Sequence, residues 1–366
     1  IEGDGEDALK LLARSVSTLS LISDEIILPE TPAALTALVA IGRGEPHAAQ
    51  IILEKALKTS LGGEAGRRRH TLLHAWSLMV QGHLDVAEKN ILEFKKINNL
   101  CDRDHLLYGC ILVGLARRRT DITSMREAWE MVREQTFGID LTLYDLLPLG
   151  EMLVTAARLR DLERLQPFLK NAVAILQSLN DPIAWSAPLH WHAVQAAFQV
   201  EDPSALIPHA NALVKAEKVS SYAATLAQAG NTWLEVLRRE ANFDSVTKSV
   251  RALAKSGQVW DAARLAGQAA LQHPEREEAL SMMQLAREIN KEQLNKARTL
   301  SKSSVLTARE LEVGRLVLDG QGYRAIGEQL FISPKTVEHH VARIRNRLGA
   351  TSRGQLIEKL HDVVNG

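Results

Sequence analysis

The chain has few aromatic residues, almost no cysteine and no long apolar run. Its 366 residues include only 4% Phe, Trp and Tyr, and 44 basic residues balance 44 acidic ones. No apolar stretch approaches the ~18 residues that a membrane-spanning helix needs. The two cysteines, Cys101 and Cys110, fall on different helical faces, so we interpret them as reduced thiols rather than a disulfide or metal pair. Because reduced thiols are typical of the cytoplasm, we expect a cytoplasmic protein.

Strand patterns and the common catalytic motifs are also scarce. Alternating β-branched runs between hairpin turns do not occur, which predicts an all-α fold. The sequence has no nucleophile elbow, paired-cysteine motif, Gly-rich dinucleotide loop or phosphate-binding G-x-x-x-x-G-K-[ST] loop. His70 and His74 have metal-like spacing, but no third ligand is evident nearby. We therefore assign no catalytic residue, no metal ligand and no cofactor to this chain, and we do not expect an enzyme.

The last sixty residues contain the helix-start and turn signals of a helix-turn-helix. Thr307 and Glu310 form a capping box that starts a helix near Ala308, and the run from Asp319 to Gly322 ends it. A second helix is predicted over roughly 324–330. There the missing side chain of Gly327 should let another helix cross closely.

Ser333 and Pro334 are favourable residues for the start of a third helix. Its apolar positions share one narrow arc: Val337, Val341, Ile344 and Leu348. The opposite arc carries polar or small side chains: Lys335, His339, Ala342, Arg343 and Asn346, with Thr336 and Glu338 at its edges. Such a helix can lie in the major groove of DNA. Ser352 is predicted to cap a fourth helix.

Charge in this region differs from that of the whole chain. Five cations and one acid lie between Lys335 and Arg353, although the complete sequence is neutral. A local basic stripe is what contact with DNA phosphates requires.

These segments resemble a known family. The motifs LTARELEV, AIGEQLFISPKTVEHHV and IRNRLGATSR are similar to those of the LuxR-type, also called NarL- or GerE-type, four-helix DNA-binding domain. Members of that family bind DNA as dimers and regulate transcription. The resemblance implies two groups of residues: base-reading Glu338, His339 and Ala342, and phosphate-contacting Lys335, Thr336, Arg343 and Arg347. Gly314, Ala325 and Gly327 depart from the family's usual residues.

A weak repeat precedes this domain. Gly44, Gly82 and Gly257 are each followed five positions later by Ala and then by an amphipathic helix. Fainter copies start near Arg119, Arg160 and Val200, giving steps of 38, 37, 41 and 40 residues and an irregular last step of 57. Helix pairs of this length stack into solenoids. We predict a TPR-like helical repeat solenoid over about 33–285, with an irregular helical bundle as the alternative.

The predicted domains are a helical repeat sensor over 1–295, a polar linker over 296–304 and the LuxR-type domain over 305–366. A helical array followed by a LuxR-type domain resembles the MalT-like large regulators of the STAND class. That resemblance implies an inducer bound by the array, an upstream ATP-binding switch domain and a functional link to RNA polymerase. The chain begins with Ile1 rather than Met, so we expect it to be a fragment, with any ATP site upstream.

The inducer is the least constrained part of the prediction. Trp185, Trp191 and Trp233 are candidate ligand-binding residues because indoles stack on flat or sugar-like ligands, and core packing is the alternative. We expect a small molecule, with a carbohydrate as the first class to test. A scaffold that binds a protein partner remains the alternative. The basic runs 67–69 and 117–119 are interpreted as solvated cations at helix ends, with an anion site or a second DNA contact left open.

Overall fold

The computed structural model describes residues 5–19, 30–59, 61–97, 100–135, 141–200, 202–303, 308–330, 332–350 and 352–365. Every regular element in these ranges is a helix, which confirms the all-α prediction. The chain divides into two compact units, Ile1–Gln293 and Leu294–Gly366. None of the described helices has the length and apolar character needed to cross a membrane.

The first unit is a succession of α-helices joined by short connections. They are α1 Gly5–Leu19, α2 Pro32–Gly42, α3 Pro46–Lys58, α4 Gly63–Val80, α5 Leu84–Ile91, α6 Asp102–Arg119, α7 Ile122–Gln135, α8 Leu146–Leu159, α9 Gln166–Ser178, α10 Ile183–Val200, α11 Pro203–Ala216, α12 Ser221–Arg238, α13 Phe243–Lys255, α14 Val259–Gln272 and α15 Arg276–Ser303. Short 3₁₀ helices span Leu92–Lys96, Leu143–Asp145 and Leu162–Leu165.

Side-chain caps fix several helix starts. The Thr31 hydroxyl accepts a hydrogen bond from the Ala34 amide at 3.1 Å at the start of α2. Asn242 accepts one from the Ser245 amide at 2.8 Å before α13. Such caps satisfy amides that have no partner within the helix. The local sequence therefore specifies where these helices begin.

A recurring left-handed turn ends the first helix of successive pairs. Residues with φ between 60° and 84° occur at Gly44, Gly82, Thr120 and Arg160, which are 38, 38 and 40 residues apart. Arg239, with φ of 61°, ends α12 in the same way. Non-glycine residues take this conformation at the later positions, which explains why the sequence copies near Arg119 and Arg160 are faint.

The predicted copy at Gly257 is in the wrong register. The turns described above follow even-numbered helices, namely α2, α4, α6 and α8. Gly257 instead follows α13, an odd-numbered helix, and precedes α14. The regular repeat spacing instead places the turn at Arg239. A search for glycine misses this turn because the residue is an arginine. The irregular 57-residue step in the predicted array is a consequence of this missed turn.

Alternate helices pack against each other along the first unit: α2, α4, α6, α8, α10, α12 and α14 in sequence. A stack of helix pairs produces this pattern, but such a stack confines contacts to neighbouring repeats. Here α2 also packs against α10. A Cβ on Gly42 would lie 1.8 Å from the carbonyl oxygen of Ala184. The row of helices thus returns on itself within this unit, and the TPR-like solenoid stays a prediction.

Two large apolar cores and a small third one, formed by Val16, Ala33, Ala56 and Leu61, lie in the described part of the first unit. The first includes Trp76 and Ile111 and extends along α2 to α10, and the second includes Trp191 and runs from α10 to α15. Both cysteines are free. Cys110 is buried in the first core, whereas Cys101 is exposed.

Only part of the two basic runs is solvated: Arg67 and Arg119 are exposed, whereas Arg69, Arg117 and Arg118 are buried, which corrects the sequence interpretation for these three. Arg69 lies inside α4, is 8% exposed, and pairs with Glu30 at 2.7 Å and with Asp104. Arg117 and Arg118 lie in the last turn of α6 and are buried against Glu151. Their partners lie more than thirty residues away in the chain, so local sequence could not reveal the pairing.

The second unit begins within α15, at Leu294. That helix continues to Ser303, so most of the predicted 296–304 linker is helical. The segment contains no Gly or Pro that would end a helix. Four shorter helices follow: α16 Ala308–Leu318, α17 Tyr323–Leu330, α18 Pro334–Leu348 and α19 Arg353–Asn365. Thr307, half of the predicted capping box, lies outside the described residues, and Glu310 is buried.

The four short helices share one small core, as the helix-turn-helix prediction required. Its fully or nearly buried members come from all four helices and from Ala350 between α18 and α19: Val313, Val317, Ile326, Val337, Val341, Ile344, Ala350, Leu356 and Leu360. The predicted core positions of the third helix are among them, with Leu348 partly buried at the edge.

Candidate nucleic-acid interface

The turn between α17 and α18 is tight because of three residues. The Ser333 hydroxyl accepts a hydrogen bond from the Thr336 amide at 3.1 Å, and Pro334 occupies the first helical position. At Gly327 an added Cβ would lie 2.7 Å from the carbonyl oxygen of Ile332. Gly327 therefore accommodates the turn itself rather than a crossing helix, which corrects the expectation from sequence. The close turn fixes the direction of α18 relative to α17.

The other end of α18 is held by α19. Gly349 has φ of 61°, and the Ala350 amide donates back to the Arg345 carbonyl at 3.0 Å. The Lys359 ammonium on α19 donates to the carbonyl oxygens of Leu348 at 3.0 Å and Gly349 at 3.2 Å. Cations at a helix C-terminus complement its dipole. Both ends of α18 are thus anchored to the rest of the four-helix unit.

One side of α18 is buried and the other is exposed. Val337, Val341 and Ile344 are at most 7% exposed. Pro334 and Arg345 are exposed at the edge of this side, and six other exposed positions fall within an arc of about 140° at 100° per residue. They are Lys335, Glu338, His339, Ala342, Arg343 and Asn346. A helix with this division can present its outer side to a groove while its inner side anchors it.

The structure brings most of the predicted DNA residues together. Glu338, His339 and Ala342, the predicted base readers, are exposed on the same side of α18, next to Lys335 and Arg343. Thr336, predicted to contact phosphate, is only half exposed, and its hydroxyl lies 2.8 Å from that of Ser333 within the helix cap. The side chain of Arg347 lies outside the described residues.

Positive charge on this face is not neutralised by neighbouring carboxylates. In the described part of the chain, Lys335, Arg343 and Arg345 form no ion pair within 4.0 Å. Unpaired surface cations are the groups that exchange counterions for DNA phosphates. The electrostatics of α18 therefore suit a polyanion.

Sequence reasoning missed further candidates at the start of α17. Arg324 has an 88% exposed side chain and pairs only loosely with Glu328 at 3.3 Å. Tyr323 beside it is 39% exposed. In a helix-turn-helix the first of the two helices crosses the DNA backbone, so its N-terminal turn is a phosphate position. The available signal was the place of these residues in the motif rather than their type.

A second candidate site is a cavity of about 1140 Å³ in the first unit. Its walls come from α1, from α2 and the turn after it, and from the turns that precede α10 and α12. Trp185 lines it and meets Tyr144 edge to face, with ring centroids 5.9 Å apart. Asn180 and Asp181 in its wall both have left-handed φ, of 59° and 51°. Uncommon backbone of this kind is often found at ligand sites.

The three predicted ligand-binding tryptophans are not brought together. Trp185 lines the cavity, but Trp191 is fully buried in the second core and donates to Asp261 at 3.3 Å. Trp233 is 7% exposed and packs beside Phe198. The alternative interpretation, core packing, therefore holds for Trp191 and Trp233. Of the three tryptophans, Trp185 is the one that lines the cavity described above.

The family model that matches this chain falls within the second unit. Residues 304–360 match the family described as GerE, bacterial regulatory proteins of the luxR family. The "Oxygen regulatory protein NreC" of Staphylococcus aureus (strain JH9) is 42% identical over 62 residues, which are 17% of this chain and 29% of that protein. The proteins of the same name from strains JH1 and Mu3 give the same values. This chain therefore matches less than a third of the length of these curated relatives. No solved structure matches it significantly.

Proposed function

Because residues 304–360 form a LuxR-family helix-turn-helix domain, we propose that α18 enters the major groove of promoter DNA with its exposed side toward the bases. The family implies DNA binding and transcription regulation. The observation that carries the proposal is the division of α18, with apolar Val337, Val341 and Ile344 facing the core and unpaired cations facing outward. The chain is then the DNA-binding part of a transcriptional regulator.

Each exposed residue of α18 has a chemical role in this arrangement. Lys335 and Arg343 contact phosphates and set the position of the helix. Glu338 can accept a hydrogen bond from a cytosine amino group, His339 can read a guanine edge, and Ala342 can contact a thymine methyl group. One four-helix unit presents a single reading helix, so we propose a dimer on a two-fold site with half-sites about 34–36 Å apart.

A charge placed in the middle of the reading face tests this role. Preferred duplexes would be selected from a random pool with the full chain, and binding would be measured by fluorescence anisotropy. Ala342→Glu puts a carboxylate against the groove and should weaken binding by at least about tenfold, the loss of one good base contact. Ala174→Glu, at an exposed position of α9, is the matched control and should bind like the wild type. Equal affinities for the two variants would contradict the proposal.

The first unit is proposed to sense a small molecule in the cavity beside Trp185. Its volume of about 1140 Å³ is slightly above the ~300–1,000 Å³ typical of ligand sites. Trp185 and Tyr144 supply aromatic edges, while Asp181 and Ser221 supply polar groups at the wall. Carbohydrates are the class to test first, because they combine an apolar face with hydroxyl groups. We propose neither an enzyme activity nor a cofactor site for this chain, and we propose a cytoplasmic regulator that acts on RNA polymerase.

Thermal unfolding in the presence of a metabolite panel tests the sensor role. A ligand that binds only the folded chain raises the midpoint. The rise should disappear in Trp185→Ala and persist in Leu271→Ala, which removes a 74% exposed side chain outside the cavity. A rise that survives Trp185→Ala would place the ligand elsewhere.

A protein-binding scaffold is the second candidate function. Apolar side chains protrude from the first unit at Val219, Leu271 and Leu280, which are 76%, 74% and 61% exposed. Exposed apolar groups of this size are common at protein interfaces when they form a contiguous patch. The scaffold hypothesis would replace the sensor hypothesis under two conditions. No metabolite would shift the midpoint of thermal unfolding, and Leu271→Asp would abolish control of DNA binding in cells.

A further inference from the structure

The two large apolar cores divide the first unit into two groups of helices. The core around Trp76 takes its buried residues from α2 to α10, and the core around Trp191 takes them from α10 to α15. In the described part of the chain α10 alone contributes to both, with Leu189 in the first core and Ala187 in the second. We call α1 to α9 the first lobe and α11 to α15 the second lobe. No buried or partly buried apolar residue described in one lobe packs against the core of the other.

Away from α10, the lobes meet through polar groups and a glycine. The Trp260 indole of α14 donates a hydrogen bond to the carbonyl oxygen of Arg118 on α6 at 3.0 Å. The Cζ atom of Arg117 lies 4.6 Å from the centroid of the same indole ring. A Cβ on Gly257 would lie 2.3 Å from Cγ of Pro46 at the start of α3. Parts of a chain that are not joined by a large apolar interface are expected to move relative to each other.

The helix that joins the lobes has an interrupted hydrogen-bond ladder. Pro188 lies inside α10 and has no N–H, so the carbonyl oxygen of Ala184 lacks its helical donor. Gly42 of α2 packs against that oxygen, since an added Cβ would lie 1.8 Å from it. A proline inside a helix is a common place for the helix to bend. The start of α10 therefore has the local structure of a hinge.

The cavity beside Trp185 lies where the two lobes meet. Its lining includes Val39 of the first lobe and Ser221 and Tyr222 of the second. The Tyr222 ring also packs on Gly44, where an added Cβ would lie 2.4 Å from the ring. Ligand sites occur preferentially at interfaces between separately folded parts. A molecule in this cavity would contact both lobes.

We propose that the first unit is a clamp whose two lobes open and close about α10, with the cavity beside Trp185 between them. This inference rests on the sensor role proposed above for that cavity. A molecule that contacts both lobes favours the closed arrangement, because it binds that arrangement more tightly than the open one. Closure of two lobes around a ligand is a common form of regulation. Binding would then change the relative positions of the lobes and leave each core folded.

Two distances in the full chain, each measured between a pair of spin labels, test the clamp without any added ligand. Cys101 is an exposed thiol of the first lobe, whereas Cys110 is buried and does not take a label. Lys248→Cys, at an exposed position of α13, completes a pair across the lobes. Lys170→Cys, at an exposed position of α9, completes a pair within the first lobe. Double electron–electron resonance gives the distance distribution of each pair.

A side chain at Gly42 should force the clamp open. Gly42→Leu cannot pack against the carbonyl oxygen of Ala184, so the lobes should rotate apart about α10. The cross-lobe distance should lengthen by more than the width of the within-lobe distribution, and the within-lobe distance should stay constant. Gly230→Leu is the matched control, because an added Cβ there meets nothing within 4 Å, and it should change neither distance.

The contrary results are equally defined. A cross-lobe distance that Gly42→Leu leaves unchanged would show that α2 only shifts locally, and it would overturn the clamp. A within-lobe distance that changes as well would show that the first core is disrupted, and it would also overturn the clamp.

Loss of one hydrogen bond provides a second pair of variants that adds no volume. Trp260→Phe removes the bond to Arg118 across the lobes. Trp129→Phe removes a bond of the same length, 3.0 Å, to Asp161 within the first lobe. Trp260→Phe should raise the ratio of open to closed protein by roughly fivefold, the effect of one hydrogen bond, and Trp129→Phe should not change it. Equal effects of the two variants on the cross-lobe distance would overturn the proposal.

These measurements separate the clamp from the sensor role. If Gly42→Leu separates the lobes but no metabolite raises the unfolding midpoint of the wild type, the clamp stands and the sensor role fails. If a metabolite raises the midpoint while the lobes stay fixed in every variant, the sensor role stands and the clamp fails.

Discussion

One set of basic residues in each unit shows two opposite uses of positive charge. In the second unit, Lys335 and Arg343 stand exposed on α18 and have no ion-pair partner among the described residues. In the first unit, Arg69 and Arg117 are at most 8% exposed and are paired with carboxylates from distant helices. Both regions show as basic runs in the sequence. Burial and pairing, rather than composition, therefore decide whether a cation is available to a polyanion such as DNA or stabilises the interior of the fold.

Among the variants that test this comparison, removing the carboxylate of Glu151 should cause the largest loss of stability. Glu151→Ala leaves Arg117 and Arg118 buried without their partner, which should destabilise the chain by about 3–5 kcal/mol. Urea unfolding would measure the loss. Glu338→Ala, which removes an exposed carboxylate from α18, should stay within about 0.5 kcal/mol. Similar losses for both variants would contradict the contrast between buried and exposed charge.

The ion pairs of Glu151 with Arg117 and Arg118 should make the stability of the chain depend on pH in a defined direction. Burial opposes ionisation of Glu151, but Arg117 and Arg118 outweigh it and hold its pKa well below its usual range. A depressed pKa means that its stabilisation is complete above the unfolded value of about 4.3 and is lost as pH falls below it. The wild type should therefore lose stability in acid faster than Glu151→Gln. Parallel pH curves for the two proteins would count against the ion pair.

The packing of α2 against α10 can be disrupted at Gly42. A Cβ there would lie 1.8 Å from the backbone oxygen of Ala184, so Gly42→Ala should destabilise by about 1–3 kcal/mol through overpacking. At Gly230, inside α12, an added Cβ meets nothing within 4 Å, so Gly230→Ala should stabilise by about 0.5–1 kcal/mol. Thermal unfolding distinguishes the signs. A Gly42→Ala variant that is as stable as the wild type or more stable would show that α2 does not pack tightly on α10.

Base reading on α18 can be separated from phosphate contact. His339→Ala should lower the preference for the selected duplex over a scrambled one by about 1–3 kcal/mol, because a base contact carries sequence information. Lys335→Ala should weaken both duplexes alike. Competition binding with the two duplexes measures the difference. A uniform loss in His339→Ala would assign that residue to the backbone instead.

The smallest expected effect concerns the start of α18. Ser333→Ala removes the cap that accepts the Thr336 amide and should cost about 1 kcal/mol. Ser333→Thr keeps the hydroxyl and is the conservative control. If Ser333→Ala and Ser333→Thr have the same midpoint, the cap does not stabilise the helix.

The sequence predicted what local signals encode. Ser333 and Pro334 marked the start of α18, and the spacing of Val337, Val341 and Ile344 marked its buried side. The exposed side followed directly, since a helix with one apolar arc leaves the other for solvent. These features depend on residues within one or two turns of each other.

Features that depend on residues distant in the sequence could not be predicted from local signals. Glu151, the partner of Arg117, lies 34 residues away, so the basic run looked like a solvated helix end. Trp191 was indistinguishable from a ligand-stacking indole until its position in the core was known. Arg239 takes a left-handed turn that glycine takes elsewhere, and the repeat register was lost there.

The salt dependence of DNA binding tests the central contrast most directly. The logarithm of the association constant would be measured against the logarithm of salt concentration for wild type, Arg343→Ala and Arg119→Ala. Arg119 is a cation of the first unit that is paired with Asp85 at 2.8 Å and Glu88 at 2.9 Å. We predict that Arg343→Ala reduces the slope by about one and that Arg119→Ala leaves it unchanged. An unchanged slope in Arg343→Ala, or a reduced one in Arg119→Ala, would contradict the assignment of DNA binding to the exposed face of α18.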